Sequence, residues 1–478
     1  MHARPRRPSR LPAPPSPVTA LRAGFRTLPR AALLACALAA CSGRPDAARR
    51  KDAASAAAPG APSDSARKPG PPRTPRPDSL RALYVNGWAA GSHARMAELL
   101  RIADSTEVNA FVVDVKESDT YLSYARTEIP LAKEIGADQR PASRWFPALL
   151  DTLRAHHVYP IARIVVFKDR MLAERRPEMA IRHVNGGVWK DQKGKPWVNP
   201  YDRRVWNYNV AIAREALEMG FQEVQWDYVR FPDVVPALQR TMAFPGAGAT
   251  TKADNIHDFI AYSKQQLAPY GAPITADVFG LSTHLEGDVG IGQNWEKIVS
   301  VADAVQPMVY PSHYFAGMYG FQQPNQHPFE FVRLAMEDAA VRTRWVRESG
   351  RRTGEVIPWL QAFSAPWLDD FTYGPVQLRQ QIQATYDAGL KSWILWNPGS
   401  RYDIYLPALR PASGAPSALE RGGWKPPRWP VPRNRLSLMI RHRESPAKAT
   451  GPATDSAHPS AAPPRRPAQA PTSALRKP

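Results

Sequence analysis

Cysteine is almost absent from this chain of 478 residues, which has only Cys36 and Cys41. Everything after position 41 therefore lacks a disulfide, a cysteine nucleophile and a thiolate metal site. No glycine-rich phosphate-binding fingerprint occurs, so the sequence signature of dinucleotide and P-loop enzymes is missing. The 11 histidines show no HxH or HExxH spacing, which removes the commonest zinc-hydrolase motifs. The first 41 residues contain no acidic side chain, and large apolar residues are scarce from 42 to 79. A stretch of that composition cannot bury enough surface to offset the entropy of ordering it.

Proline and positive charge are in excess, and both gather at the ends. There are 50 prolines and a net charge of +20. Residues 1–41 carry 7 basic and no acidic side chains, residues 42–79 carry 8 and 4, and residues 411–478 carry 12 and 3. The span 80–410 holds 36 of each sign and nearly all the aromatics. The folded part is thus electrically balanced, and a nucleic-acid partner is not indicated. The expected organisation is a leader over 1–41, a disordered Pro/Ala-rich tether over 42–79, one domain over 80–410, and a disordered basic tail over 411–478.

In the leader, Arg26 to Arg30 precede an apolar run, Ala31 to Ala40, that is too short to span a bilayer. Leu38-Ala39-Ala40-Cys41 resembles a bacterial lipobox. That resemblance implies lipidation of Cys41, a membrane anchor and a place in the cell envelope. Ser42 after the cysteine implies the outer membrane.

The middle alternates between two periodicities. Strand signals begin at Ala82, Ala110, Pro160, Phe221, Pro273, Ala304, Val356 and Ser392. Helical faces lie between them, as in Met96, Leu99, Leu100 and Ala103 behind the N-cap Ser92, or Trp206, Val210, Ala213 and Leu217 before the stop at Gly220. Eight such units predict an α/β fold, a (β/α)8 TIM barrel, whose strand ends converge at one mouth. The fourth unit is the most informative. In EVQWDYVRFPD, Glu223 to Asp233, the residues Val224, Trp226 and Tyr228 alternate with Gln225, Asp227 and Val229, and Phe231-Pro232 is expected to stop the strand. A carboxylate at that end is costly for a plain core and fits a barrel mouth.

Counting strand ends gives Asn86, Asp114, Lys116, Asp169, Asp227, Asp277, Tyr310, His313, Gln361 and Asn397 as candidates, and the loops add Trp189, Trp197, Tyr314, Trp367 and Tyr373. Carboxylates among amides and aromatics suit a sugar: rings stack on flat apolar faces, and acetal cleavage needs an acid and a base or nucleophile. Asp227 is the expected essential carboxylate and Asp277 the first choice of acid, followed by Asp114 and Glu286. Arg230 is expected to hold Asp227 ionised. No cofactor is implied. Two other readings fit the same residues: a carbohydrate-binding barrel without catalysis, and a metal-dependent polysaccharide deacetylase-type hydrolase.

At YVNGW, FVVDVKE, ARIVVFKD, EVQWDYVRFPD, ADVFG, VQPMVYPSHY, WLQAF and ILWNP, the chain resembles a bacterial family of glycoside hydrolase TIM barrels of unassigned function, distantly similar to α-amylase-type enzymes. The resemblance covers about 83 to 405. It implies cleavage of glycosidic bonds in a polysaccharide, with Asp227 as the nucleophile of strand four and Asp277 as the acid of strand five. Here Asp277 stands where amylase-type enzymes have Glu, and Gln361 where they have a third acid.

Overall fold

A computed structural model describes residues 73–118 and 121–428. The expected leader, Cys41, residues 42–72 of the tether and the tail beyond 428 lie outside the described residues. The described chain forms a closed parallel barrel. Its strands are β1 (Arg81–Val85), β2 (Ala110–Lys116), β3 (Tyr159–Val165), β4 (Glu223–Asp227), β5 (Ile274–Phe279), β6 (Ala304–Val309), β7 in two pieces (Glu355–Val356 and Trp359–Gln361), and β8 (Trp393–Trp396). Each pairs in parallel with the next, and β8 closes on β1 through Arg81 opposite Trp393. Pro358 splits β7, because it has no N–H for the ladder.

The principal helices are α1 (His93–Ser105), α2 (Phe146–Ala155), α3 (Arg203–Met219), α4 (Lys252–Leu267), α5 (Trp295–Val301), α6 (Pro328–Glu348) and α7 (Pro375–Asp387). Short polar side chains start several of them: Ser92, Asp202, Thr251 and Asn294 each accept a hydrogen bond from the first turn, which satisfies one of its orphan N–H groups. Their apolar faces bury the periodic residues, including Trp206, Val210, Ala213 and Leu217 on α3. Outward-facing strand residues such as Val113, Ile164 and Trp226 meet them in the main core. Inward-facing residues, among them Tyr84, Val112, Ile161, Trp359 and Ile394, form a separate cluster inside the barrel.

Two expectations about limits change. β4 ends at Asp227, not at Pro232, because Tyr228 takes φ 47° and turns the chain off the sheet. The folded unit also reaches past 80–410 at both ends. Arg76 bridges Glu223 (2.9 Å) and Glu355 (3.1 Å) across the N-terminal floor of the barrel. After 410, Ser417 caps the turn Ala418–Arg421, and Glu420 pairs with Arg379 and Arg410 at 3.1 and 2.7 Å. Specific ion pairs thus order segments whose composition alone predicts disorder.

Candidate active site

The barrel's inward positions carry charge where a plain core would not. Arg163 of β3 is 2% exposed and clamps two carboxylates. One guanidinium nitrogen meets Asp114 Oδ1, while Nε (3.1 Å) and Nη2 both meet Asp227 Oδ2. Tyr84 Oη donates to Asp114 Oδ2 at 2.6 Å, and the Tyr228 N–H donates to Asp227 Oδ1 at 2.5 Å. Every contact named on Asp227 is a donor, which suits an acceptor-only carboxylate. The surroundings are aromatic. Tyr84 stacks on Trp396 at 4.0 Å, Trp359 meets both edge-on, and the Arg163 guanidinium lies 5.3 Å from the Tyr84 and Trp396 rings. Walls of this kind keep the local dielectric low and strengthen the charge pairing.

Asp277 of β5 is held differently. Gln225 Nε2 and Trp359 Nε1 both donate to its Oδ1, each at 2.6 Å. Burial pushes this carboxyl well above the usual range, and the charge of Asp227 adds to the effect. With Oδ1 filled by two N–H donors, the proton of the neutral acid belongs on Oδ2. Burial also raises Asp114, to about 6, against the pull of Arg163. The site therefore holds two carboxyls on adjacent strand ends in unlike surroundings, one gripped by a guanidinium and one buried among neutral donors, the kind of asymmetry on which acid-assisted bond cleavage is built.

Tyr310 follows β6. Its ring packs in the inward cluster with Tyr84 and Trp359, the residues that bond Asp114 and Asp277, and burial raises its phenol, with the charges of Asp277 and Asp227 next in effect. His313 is exposed on the rim, edge-on to Tyr310 at 5.4 Å. The remaining candidates lie elsewhere or are fully engaged. Asn86 caps a helical turn through Ala89 N, and Asn397 donates to Ala362 O at 2.6 Å. Gln361 is buried, accepts from Ser312 and donates to Phe363 O. A register shift between Asp114 and Lys116 turns Lys116 outward to Asp169 (2.8 Å) and to Asn209 of α3. Trp189 and Trp197 are buried with Ile181, Val234 and Met242 in the core of the loops after β3 and β4. Glu286 is exposed in the loop after β5. Arg230 lies 4.5 Å over the Phe279 ring and donates to Phe231 O. The cation bonded to Asp227 is Arg163, whereas Arg230 lies over the Trp197, Tyr228 and Phe279 rings.

Sequence reasoning missed Arg163, Tyr84, Trp359 and Trp396. For Arg163 a signal existed. It continues the inward alternation of Tyr159 and Ile161, and a buried charge there calls for a partner just as Asp227 does. Among the described residues, no group of three or more His, Cys, Asp or Glu side chains is arranged to hold a metal.

A parallel barrel with paired acids among the side chains at its mouth defines a TIM-barrel hydrolase architecture. Residues 82–402 match the family described as "Putative glycosyl hydrolase domain", and the chain belongs to that family. Solved structures with similarity include a hypothetical protein from Ruminiclostridium thermocellum ATCC 27405, 39% identical over 41% of this chain and 97% of that one, with a TM-score of 0.38. The glycoside hydrolase domain of PgaB (BpsB) from Bordetella bronchiseptica is 12% identical over 67% and 95%, with a TM-score of 0.49. An α-galactosidase from Thermus thermophilus is 14% identical over 69% and 60%, with a TM-score of 0.39. No curated protein matches the chain.

Proposed function

We propose that the protein hydrolyses glycosidic bonds in a polysaccharide by a two-carboxylate mechanism, with Asp227 as nucleophile and Asp277 as acid. The observation that carries this reading is the asymmetry of the pair. Asp227 is gripped by the Arg163 guanidinium and the Tyr228 N–H, whereas Asp277 is buried with neutral N–H donors on Oδ1 alone and burial favours its protonated form. Asp277 would protonate the glycosidic oxygen as the bond to the anomeric carbon breaks, while an Asp227 oxygen forms the new bond to that carbon. Water would then release the sugar, with deprotonated Asp277 taking its proton. The β4–β5 register runs Gln225 opposite Thr275 and Trp226 opposite Ala276. Carried one residue further, it sets Asp227 opposite Asp277. The two carboxyls thus project from adjacent strand ends, and the nucleophilic role proposed for Asp227 gives a product that keeps its anomeric configuration.

The test is reducing-end release from a panel of bacterial and plant polysaccharides by the wild-type protein and Asp227→Asn. Release by the first and none by the second supports the reading. Binding without release by either favours a carbohydrate-binding barrel, and activity lost to a chelator favours a metal-dependent deacetylase type. The Leu38-to-Cys41 motif supports a lipid anchor on the envelope. Palmitate incorporation that persists in Cys41→Ala would overturn that.

A further inference from the structure

Among the described residues, the large apolar side chains left in solvent all lie in loops that follow strands or at the helix start after one: Trp88, Val184, Val235, Trp367, Leu368, Val376 and Ile404. They belong to the mouth side of the barrel, the side on which the carboxylates stand. One of them is joined to the site by a file of rings. Tyr310, beside Asp227 and Asp277, meets Phe363 at 5.8 Å, and His313 meets Phe363 at 6.1 Å. Phe363 in turn stacks on Trp367 at 6.3 Å, with the ring planes 17° apart. Exposure grows along the file, from 6% at Tyr310 to 48% at Trp367.

The segment bearing Trp367 is pinned from several sides. Leu368 N bonds to Ala365 O, which closes a turn around the tryptophan. Asp369 Oδ1 accepts from Asn325 Nδ2 (2.7 Å) and from Phe371 N, and Tyr373 Oη donates to Asn325 O. Gln361 donates to Phe363 O, which fixes the next ring inward. A large aromatic on a fixed backbone, half in water and continuous with a polar site, meets a flat apolar face with little further loss of freedom.

We propose that Trp367 and Phe363 form a stacking subsite for pyranose rings flanking the bond to be cleaved, so that the protein acts on chains long enough to reach from Asp227 to Trp367. The subsite rests on the hydrolase reading for its catalytic use but not for its binding. The test is retardation in native gels containing xylan, laminarin, dextran or glycol chitosan, run with Asp227→Asn, with Asp227→Asn combined with Trp367→Ala, and with Asp227→Asn combined with Trp88→Ala. Trp88 is 70% exposed and is the control for general surface stickiness.

The expected result is retardation by at least one glycan, weakened roughly tenfold in apparent Kd by Trp367→Ala, the scale of one lost stacking contact, and unchanged by Trp88→Ala. Equal retardation with and without Trp367, or no retardation by any of the four, overturns the subsite. Retardation that depends on Trp367 without reducing-end release from the wild type keeps the subsite and removes the hydrolase. Release that does not depend on Trp367 does the reverse.

Discussion

Arg163 separates two buried carboxylates that would otherwise share one apolar chamber. Replacing it with Met leaves Asp114 and Asp227 without their cation, and removing one member of a buried ion pair costs about 3–5 kcal/mol. Arg163→Met should lower the urea midpoint accordingly, and an unchanged midpoint would mean that the clamp contributes little. Asp277 gives the opposite expectation. Asn keeps an oxygen for Gln225 and Trp359 and needs no charge. Asp277→Asn should therefore fold with stability equal to or above wild type at pH 8, while glycan cleavage disappears.

The pH dependence of stability follows from the same groups. A carboxyl that is protonated in the folded chain and ionised in the unfolded one makes stability fall as pH rises. For Asp114 that window runs from about 4, the ordinary Asp value, to about 6. Asp277 extends it upward. Urea midpoints should decline across this range, with a flatter upper part in Asp277→Asn. A wild-type midpoint that climbs from pH 5 to 8 would contradict the assignment. At this scale the buried strand-end placement of Asp227 and Asp277 was legible, because an acid on the inward face at a strand end has few structural explanations. Lys116 and Asn397 were not separable from them, since position at a strand end does not give side-chain direction. A single register shift turned Lys116 from the mouth toward α3.

The eight strands and the helices between them were legible because two periodicities alternate with clear stops. The limits of elements were less so. The sequence around Tyr228 alternates past Asp227 as a continuing strand would. Nothing local announces that a tyrosine will adopt a positive φ, which tertiary contacts must hold in place. Trp367 was legible only as one loop aromatic among several, since composition does not tell that Trp189 is buried and Trp367 exposed. Close approach at the end of β5 is a further element-scale constraint. A Cβ on Gly280 would meet Met308 O at 2.6 Å and collide with the Tyr314 hydroxyl. Gly280→Ala should destabilise the barrel by roughly 1–3 kcal/mol, read by chemical denaturation, and should disturb the β5 and β6 ends that carry Asp277 and Tyr310. An alanine variant with wild-type stability and activity would show that the two ends shift freely.

For the whole molecule, electrical balance over 80–410 pointed away from nucleic acid, and the family match agrees with a carbohydrate-directed hydrolase. Composition could not reveal that residues near 76 belong to the barrel, because one arginine in a proline-rich stretch looks like any other. Its role depends on two acids 147 and 279 positions away. Arg76→Ala leaves Glu223 buried without its cation. The expected loss is roughly 3 kcal/mol, smaller at acid pH, where Glu223, already raised by burial, accepts a proton. Equal stability of the two proteins at pH 8 would show that the strap is dispensable.

The strap also sets an orientation. Arg73 reaches Tyr270 O, just ahead of β5, and Arg76 crosses to the starts of β4 and β7, so the polypeptide enters at the pole opposite the catalytic opening. Residues 73–76 thus lie against the base of the barrel, and the opening stands at the other pole. A polymer crossing the Trp367 side meets the mouth without meeting the segment at 73–76.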